Sequence, residues 1–236
     1  MLTNQFFDQL QGRLNKYDLL CHPFYRAWAA GELTRDDLRQ YAGDYFLHVQ
    51  EFPSYLAEFA SRLPEGQLQD SVLANMQDEL GGNSDAGPQF RAHSELWVDF
   101  LEGMGGKRPV QGDHAATPIE MRDLVESFHR IATEGSPAEV LAALYAYESQ
   151  VPRIAQEKER GLRNLYGADE KTCAYFSLHK SADVFHSKVW RDELATAVEH
   201  DPSEVTAALE AAEGTARALW RALDGIEAKR HRRQAA

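Results

Sequence analysis

Cysteine is nearly absent. The 236 residues contain two, Cys21 and Cys173, too few for a disulfide framework. The fold must therefore be held by its core, and a reducing cytoplasm is the expected setting, with both thiols read as small buried apolar groups. Long hydrophobic runs are missing too. No stretch approaches the length that spans a bilayer, and the opening MLTNQFFDQLQGRLNKYD has no apolar signal core, so no membrane is expected as a partner. Positive charge is in short supply: 25 Lys+Arg against 37 Asp+Glu leave a formal charge of -12, which repels nucleic acid. Strand-like alternation is lacking, as are Asn-Gly or Asp-Gly turns between β-branched runs, which removes hairpin-built folds. What remains, 43% hydrophobic and 26% charged, is the make-up of a globular domain with a real core.

Helical periodicity fills the chain. Apolar residues recur at three and four from 3 to 28. Thr34 opens a second helix with Asp37 at its third position, a capping-box start, and Leu63-Pro64 stops it after Arg62. Further helices are expected over 67–80, 89–103, 118–134, 136–166, 169–200 and 202–233, about eight in all. Gly81-Gly82-Asn83 ends the third, and 105–117 is the one polar stretch long enough to be a loop. No composition shift marks a boundary, so residues 1–236 read as a single all-α domain. Its basic tail, from about residue 228, reads as a solvated, frayed helix end.

The densest chemistry lies at His179-x-x-x-Asp183-x-x-His186. Spacings of four, three and seven place the three side chains on one helix face. Two imidazoles and a carboxylate suit iron, manganese or zinc. A polar helix face that happens to carry two histidines is the alternative. The apolar neighbours Phe176, Val184, Phe185, Val189 and Trp190 weigh against it, because some of these polar groups must then face inward, where a cation offsets the cost of a buried carboxylate. Glu148 sits within the apolar ALYAYES, Glu79 in NMQDELGG and His93 in RAHSELW. Each alone is weak. Together they offer three carboxylates and three histidines from several helices, the set from which helical bundles build two-metal sites. Lys158, within QEKER, reads as part of a solvated charged face, and Tyr25, Tyr147 and Tyr175 read as core aromatics.

The combination of HPFYRAW, DEL…HSELW, YAYES with a lysine ten residues on, and H-x-x-x-D-x-x-H resembles the CADD-like family, named for the Chlamydia protein associating with death domains. These are haem-oxygenase-like di-metal oxidases, related in fold to TenA and to pyrroloquinoline-quinone synthase. The resemblance runs from about Phe6 to Trp220. It implies a bundle of seven or eight helices and metal ligands Glu79, His93, Glu148, His179, Asp183 and His186. The pair would be Fe/Fe or mixed Mn/Fe, with dioxygen as co-substrate and an external reductant. It implies production of para-aminobenzoate for folate synthesis from the protein's own Tyr25, with Lys158 as amino donor. Tyr41, Trp97, Tyr147 and Tyr175 would be further redox-active aromatics. A homodimer is expected by analogy, and no partner protein is legible. A di-metal oxidase acting on a small external substrate and a non-enzymatic interaction protein are the competing readings. Ten helical residues between Glu148 and Lys158 span about 15 Å and 80° of rotation, so bringing both to one place calls for a bend, for which Pro152 is the candidate.

Overall fold

The computed structural model describes residues 3–82, 90–109 and 116–235. Among them every regular element is helical: α1 (Thr3–Leu14), α2 (Pro23–Ala30), α3 (Arg35–Arg62), α4 (Gln67–Leu80), α5 (His93–Gly103), α6 (Ile119–Glu134), α7 (Pro137–Glu148), α8 (Val151–Leu165), α9 (Glu170–His200) and α10 (Val205–Gln234). Ten helices stand where eight were expected, because two expected segments each divide.

The first division lies in 3–28. Two short 3-10 turns separate α1 from α2, and His22 caps α2 by accepting from the Phe24 N–H while Pro23 takes the first-turn position that needs no donor. Cys21, in the second turn, is exposed, contrary to expectation; Cys173 is buried. The second division lies in 136–166. The helix ends at Glu148, turns through Ser149 and Gln150, and restarts as α8 with Pro152 in its first turn. Proline therefore opens a new helix there, and the bend is a full break.

Elsewhere the caps act as the residues dictate. Thr34 and Asp37 form a reciprocal box, the Asp37 N–H donating to Thr34 Oγ1 and the Thr34 N–H to Asp37 Oδ2. Ser136 and Glu139 do the same for α7. The chain-end helix departs from expectation. α10 stays helical to Gln234, and its cations dock on α3: Lys229 on Asp44, Arg230 beside Asp37, and Arg233 on Asp36 and Asp37. Those acids lie at or near the N-terminal turns of α3, so the basic tail is tethered rather than frayed.

α9 runs through the assembly, packed on α5, α7 and α8, while α3 packs on α4, α5 and α6, and α10 closes the other side against α7, α6 and α1. Trp28, Tyr41, Trp97, Phe100, Phe176 and Trp190 are fully buried between these layers. None of the described helices is long and apolar enough to cross a membrane.

Candidate active site

Helix ends deliver half of the candidate ligands. Glu79 lies in the last turn of α4, His93 is the first residue of α5, and Glu148 the last of α7. His179, Asp183 and His186 come from the middle of α9, on one stripe. All six are at least nine-tenths buried.

They form two groups. Glu79, His93 and His179 each offer a ligand atom within 4.8 Å of the others, and Glu148, Asp183 and His186 do likewise. His93 reaches Glu79 despite the intervening segment because of Gly81. With φ at 71°, Gly81 turns the chain in the left-handed region, and a Cβ there would meet the Ala92 nitrogen at 2.4 Å. The next residue pins the return: the Gly82 N–H donates to Phe90 O at 2.7 Å. The end of α4 and the start of α5 are thus held side by side.

Supporting bonds orient the ligands. His179 Nδ1 donates to Tyr175 O at 2.7 Å, which leaves Nε2 as the coordinating atom. Trp190 Nε1 donates to Glu148 Oε2 at 2.5 Å and Asn75 Nδ2 to Glu148 Oε1 at 3.5 Å. His186 Nε2 lies 3.3 Å from Asp78 Oδ2 at the surface. Asn75 and Asp78 were not singled out in the sequence, and Trp190 was read only as an apolar neighbour. Asn75 stands four residues before Glu79 and Trp190 four after His186, so helical spacing from a suspected ligand would have found both; Asp78, next to Glu79, faces elsewhere on α4 and gave no such signal.

The donor set fits two cations. Three carboxylates share the interior with three imidazoles and no lysine or arginine among them. Burial, with Asp183 close by, pushes the Glu148 carboxyl well above the usual carboxylate range. His93 Nδ1 lies 2.7 Å from Glu79 Oε2, yet the alignment makes no hydrogen bond. His186 Nδ1 is likewise buried and makes no hydrogen bond among the described residues, its nearest carboxylate oxygen being Asp183 Oδ1 at 3.5 Å. Three carboxylates and three imidazoles gathered this closely, with hydrogen-bonding capacity left over at His93 Nδ1 and His186 Nδ1, are a donor set that divalent ions would complete.

A second pocket adjoins the first. Lys158, on α8, is buried, and its Nζ donates to Tyr25 Oη at 2.8 Å and to Tyr41 Oη; the two phenols are 3.0 Å apart. The Nζ stands 4.3 Å from the Tyr25 ring centre and 4.7 Å from that of Tyr41. Burial alone pulls the lysine pKa well below its ordinary value, because no carboxylate sits beside it. Burial also holds Tyr25 and Tyr41 protonated. The charged run around Lys158 is solvated as expected at Gln156 and Arg160, but Lys158 itself shares the inward stripe of Val151, Ile154, Ala155 and Leu162.

The two pockets share walls. Tyr147 and Tyr175 line the lysine cavity, of about 20 Å³, and also the ligand cavity, of about 10 Å³. Tyr175 stacks on His179 with ring centres 3.9 Å apart and meets Trp97 edge-on at 4.7 Å. All six aromatic and lysine positions expected from the resemblance therefore lie in one contiguous buried cluster, and Lys158 touches its tyrosines rather than the ligand groups. Tyr45 was missed. It lies one turn after Tyr41 on the same face of α3, between Tyr41 and Trp97 at 5.4 and 5.3 Å, and lines the lysine cavity.

A sequence model of a family described as iron-containing redox enzymes matches residues 39–220. The 4-aminobenzoate synthase of Chlamydia trachomatis is 35% identical over 222 residues, 94% of this chain and 91% of that protein. The protein of the same name from Nitrosomonas europaea is 35% identical over 237 residues, 96% of this chain and 92% of its own length. Among solved structures, a TenA homologue from Pseudomonas syringae matches with a TM-score of 0.74 at 16% identity, covering 94% of this chain and 91% of the other, a likeness of fold.

Proposed function

The chain belongs to the iron-containing redox enzyme family, and from that premise we propose that it makes 4-aminobenzoate by oxidising its own Tyr25, with Lys158 as nitrogen source and dioxygen as oxidant. The observation that carries this reading is the buried amine of Lys158, 2.8 Å from the Tyr25 hydroxyl, in a pocket that shares Tyr147 and Tyr175 with the cavity lined by Glu79, Glu148, His179 and Asp183.

Glu79, His93 and His179 would hold one metal ion, and Glu148, Asp183 and His186 the other. An iron pair, or a mixed manganese–iron pair, would supply one-electron oxidation driven by dioxygen. The protein's own residues do the rest. Tyr147 and Tyr175 separate the ligands from Tyr25 and provide rings through which an electron can leave it. Lys158 is kept neutral by burial, so its lone pair is free to attack, and its contact with the phenol oxygen holds the nitrogen beside the carbon that must receive it. Trp97 and Phe176 help to enclose the pocket and keep water from it.

Cavity size favours an internal substrate over an external one. Hollows of about 20 and 10 Å³ have room for about one water molecule each. An aromatic acid would not fit beside the rings already present. The ring to be converted is then part of the chain, and each molecule reacts once.

The test is rescue of a para-aminobenzoate auxotroph, with intact-mass analysis of the purified protein after exposure to oxygen. Wild type should rescue and lose mass at residue 25, whereas Tyr25→Phe and Lys158→Arg should do neither. Full rescue by both variants would return these residues to a packing role.

A further inference from the structure

The ligand cavity itself is small, about 10 Å³, and its remaining walls are the buried side chains of Val49, Phe52, Tyr147 and Tyr175. His186 also faces another way. It lines a second hollow, of about 120 Å³, with Asn75 and Asp78 of α4 and Phe185 and Trp190 of α9. Asp78 and Phe185 are exposed there, so the hollow meets solvent. It has room for several water molecules, and a cation can enter with part of its hydration shell.

The hollow is lined with donors from its mouth inward. Asp78 Oδ2 stands 3.3 Å from His186 Nε2, and no lysine or arginine pairs with Asp78 among the described residues. That separation is long for an N–H···O bond and suits two donors on one ion, each about 2.0–2.2 Å from it. Asn75 comes next. It is buried, its Nδ2 reaches Glu148 Oε1 at 3.5 Å, and its Oδ1 has no partner among the described residues. A buried carbonyl oxygen without a donor costs stability with no return from packing, and a cation passing it would satisfy it. Asn75 thus belongs both to the hollow and to the surroundings of a candidate ligand.

We propose that the hollow beside His186 is the entry for divalent cations, with Asp78 and Asn75 as a loading site that takes an ion from solvent and hands it to Glu148. The inference rests on the di-metal reading of the site. The ion exchanges bound water for Asp78 Oδ2, then Asn75 Oδ1, then the Glu148 carboxylate, so that an oxygen donor accompanies it at every stage. Asp78 also supplies the negative charge that draws a cation to the mouth.

The test is kinetic and uses the full-length, metal-free chain with Co²⁺, followed by its visible absorption, and release of bound Co²⁺ to EDTA. The wild-type rate should rise with Co²⁺ concentration. Asp78→Asn and Ala74→Phe should each slow uptake about tenfold. Ala74 is exposed and lines the hollow, so its enlargement narrows the entry without touching the core, and unchanged thermal melting of the metal-free chain checks this. An entry lies on the path in both directions, so both variants should slow release by the same factor and leave affinity unaltered. If Asp78 only holds the His186 ring in place, Asp78→Asn will speed release, weaken affinity and leave uptake as it was, which would overturn the proposal. An uptake rate independent of Co²⁺ concentration would do so too, because entry would then follow local unfolding. A wild-type chain that binds no Co²⁺ would sink the di-metal reading and the entry with it. Two ions bound at wild-type rates in both variants would sink the entry alone.

Discussion

The two adjoining pockets solve opposite problems of buried charge. The ligand cavity gathers three carboxylates with no fixed cation to answer them. The lysine pocket holds one amine with no carboxylate to answer it. In the first the imbalance is kept ionic, because metal ions can complete it. In the second it is removed by deprotonation, which is what makes an amine nucleophilic. A third place shows the ordinary solution: Lys229, at the end of α10, is half-sheltered and simply paired with Asp44 at 2.8 Å. One helical scaffold therefore treats three sets of buried or half-buried charge in three ways, and only the first two need chemistry to explain them.

The contrast can be broken by experiment. The largest effect is expected from His179→Ala, which takes a donor from the first group and should weaken metal retention by more than about a hundredfold, read as metal content after dialysis. Lys158→Met should leave that content unchanged, and equal loss in both variants would make the two pockets one unit. Gly81→Ala comes next. The clash with Ala92 and the left-handed backbone should cost about 2–3 kcal/mol in urea unfolding and separate His93 from Glu79, lowering bound metal as well.

Lys158→Met sharpens the other half. It removes a buried amine, and Tyr25 and Tyr41 keep each other as partners, so stability at neutral pH should rise by about 1–3 kcal/mol. The sign with pH follows from the lowered folded pKa. Between that value and the unfolded value of about 10.4, the unfolded chain holds the extra proton, so wild-type stability falls as pH drops through the window and recovers toward its top. The advantage of Lys158→Met should therefore shrink between pH 7 and pH 10, and a constant difference would show that Lys158 is charged in the fold. The smallest effect is expected at the tail. Arg233→Ala should cost only about 0.2–1 kcal/mol and lose that effect in high salt, because the ion pair is partly exposed.

Much of the site was legible because helices have a fixed period. The spacing of His179, Asp183 and His186 put them on one face before any coordinates, and the apolar company of Glu148 marked it as inward. Lys158 shows the limit of reading composition. Its charged neighbours suggested solvent, whereas its place in the stripe of Val151, Ile154, Ala155 and Leu162 buries it. The same period along α3 links Tyr41, Tyr45, His48, Phe52 and Tyr55, so Tyr45 was available to a reading by face rather than by motif.

Local rules of periodicity, capping and charge were enough to establish from the amino-acid order an all-helical chain and one ligand-bearing stripe. Capping groups and apolar faces act within a few residues of themselves, which is why most helix ends fell where the residues place them. Convergence was decided only in three dimensions. The turn at Gly81, the break after Glu148 and the shared wall of Tyr147 and Tyr175 join residues far apart in sequence, and their meeting depends on how helix ends pack against α9. The docked tail belongs with these, since its acids lie nearly two hundred positions away on α3.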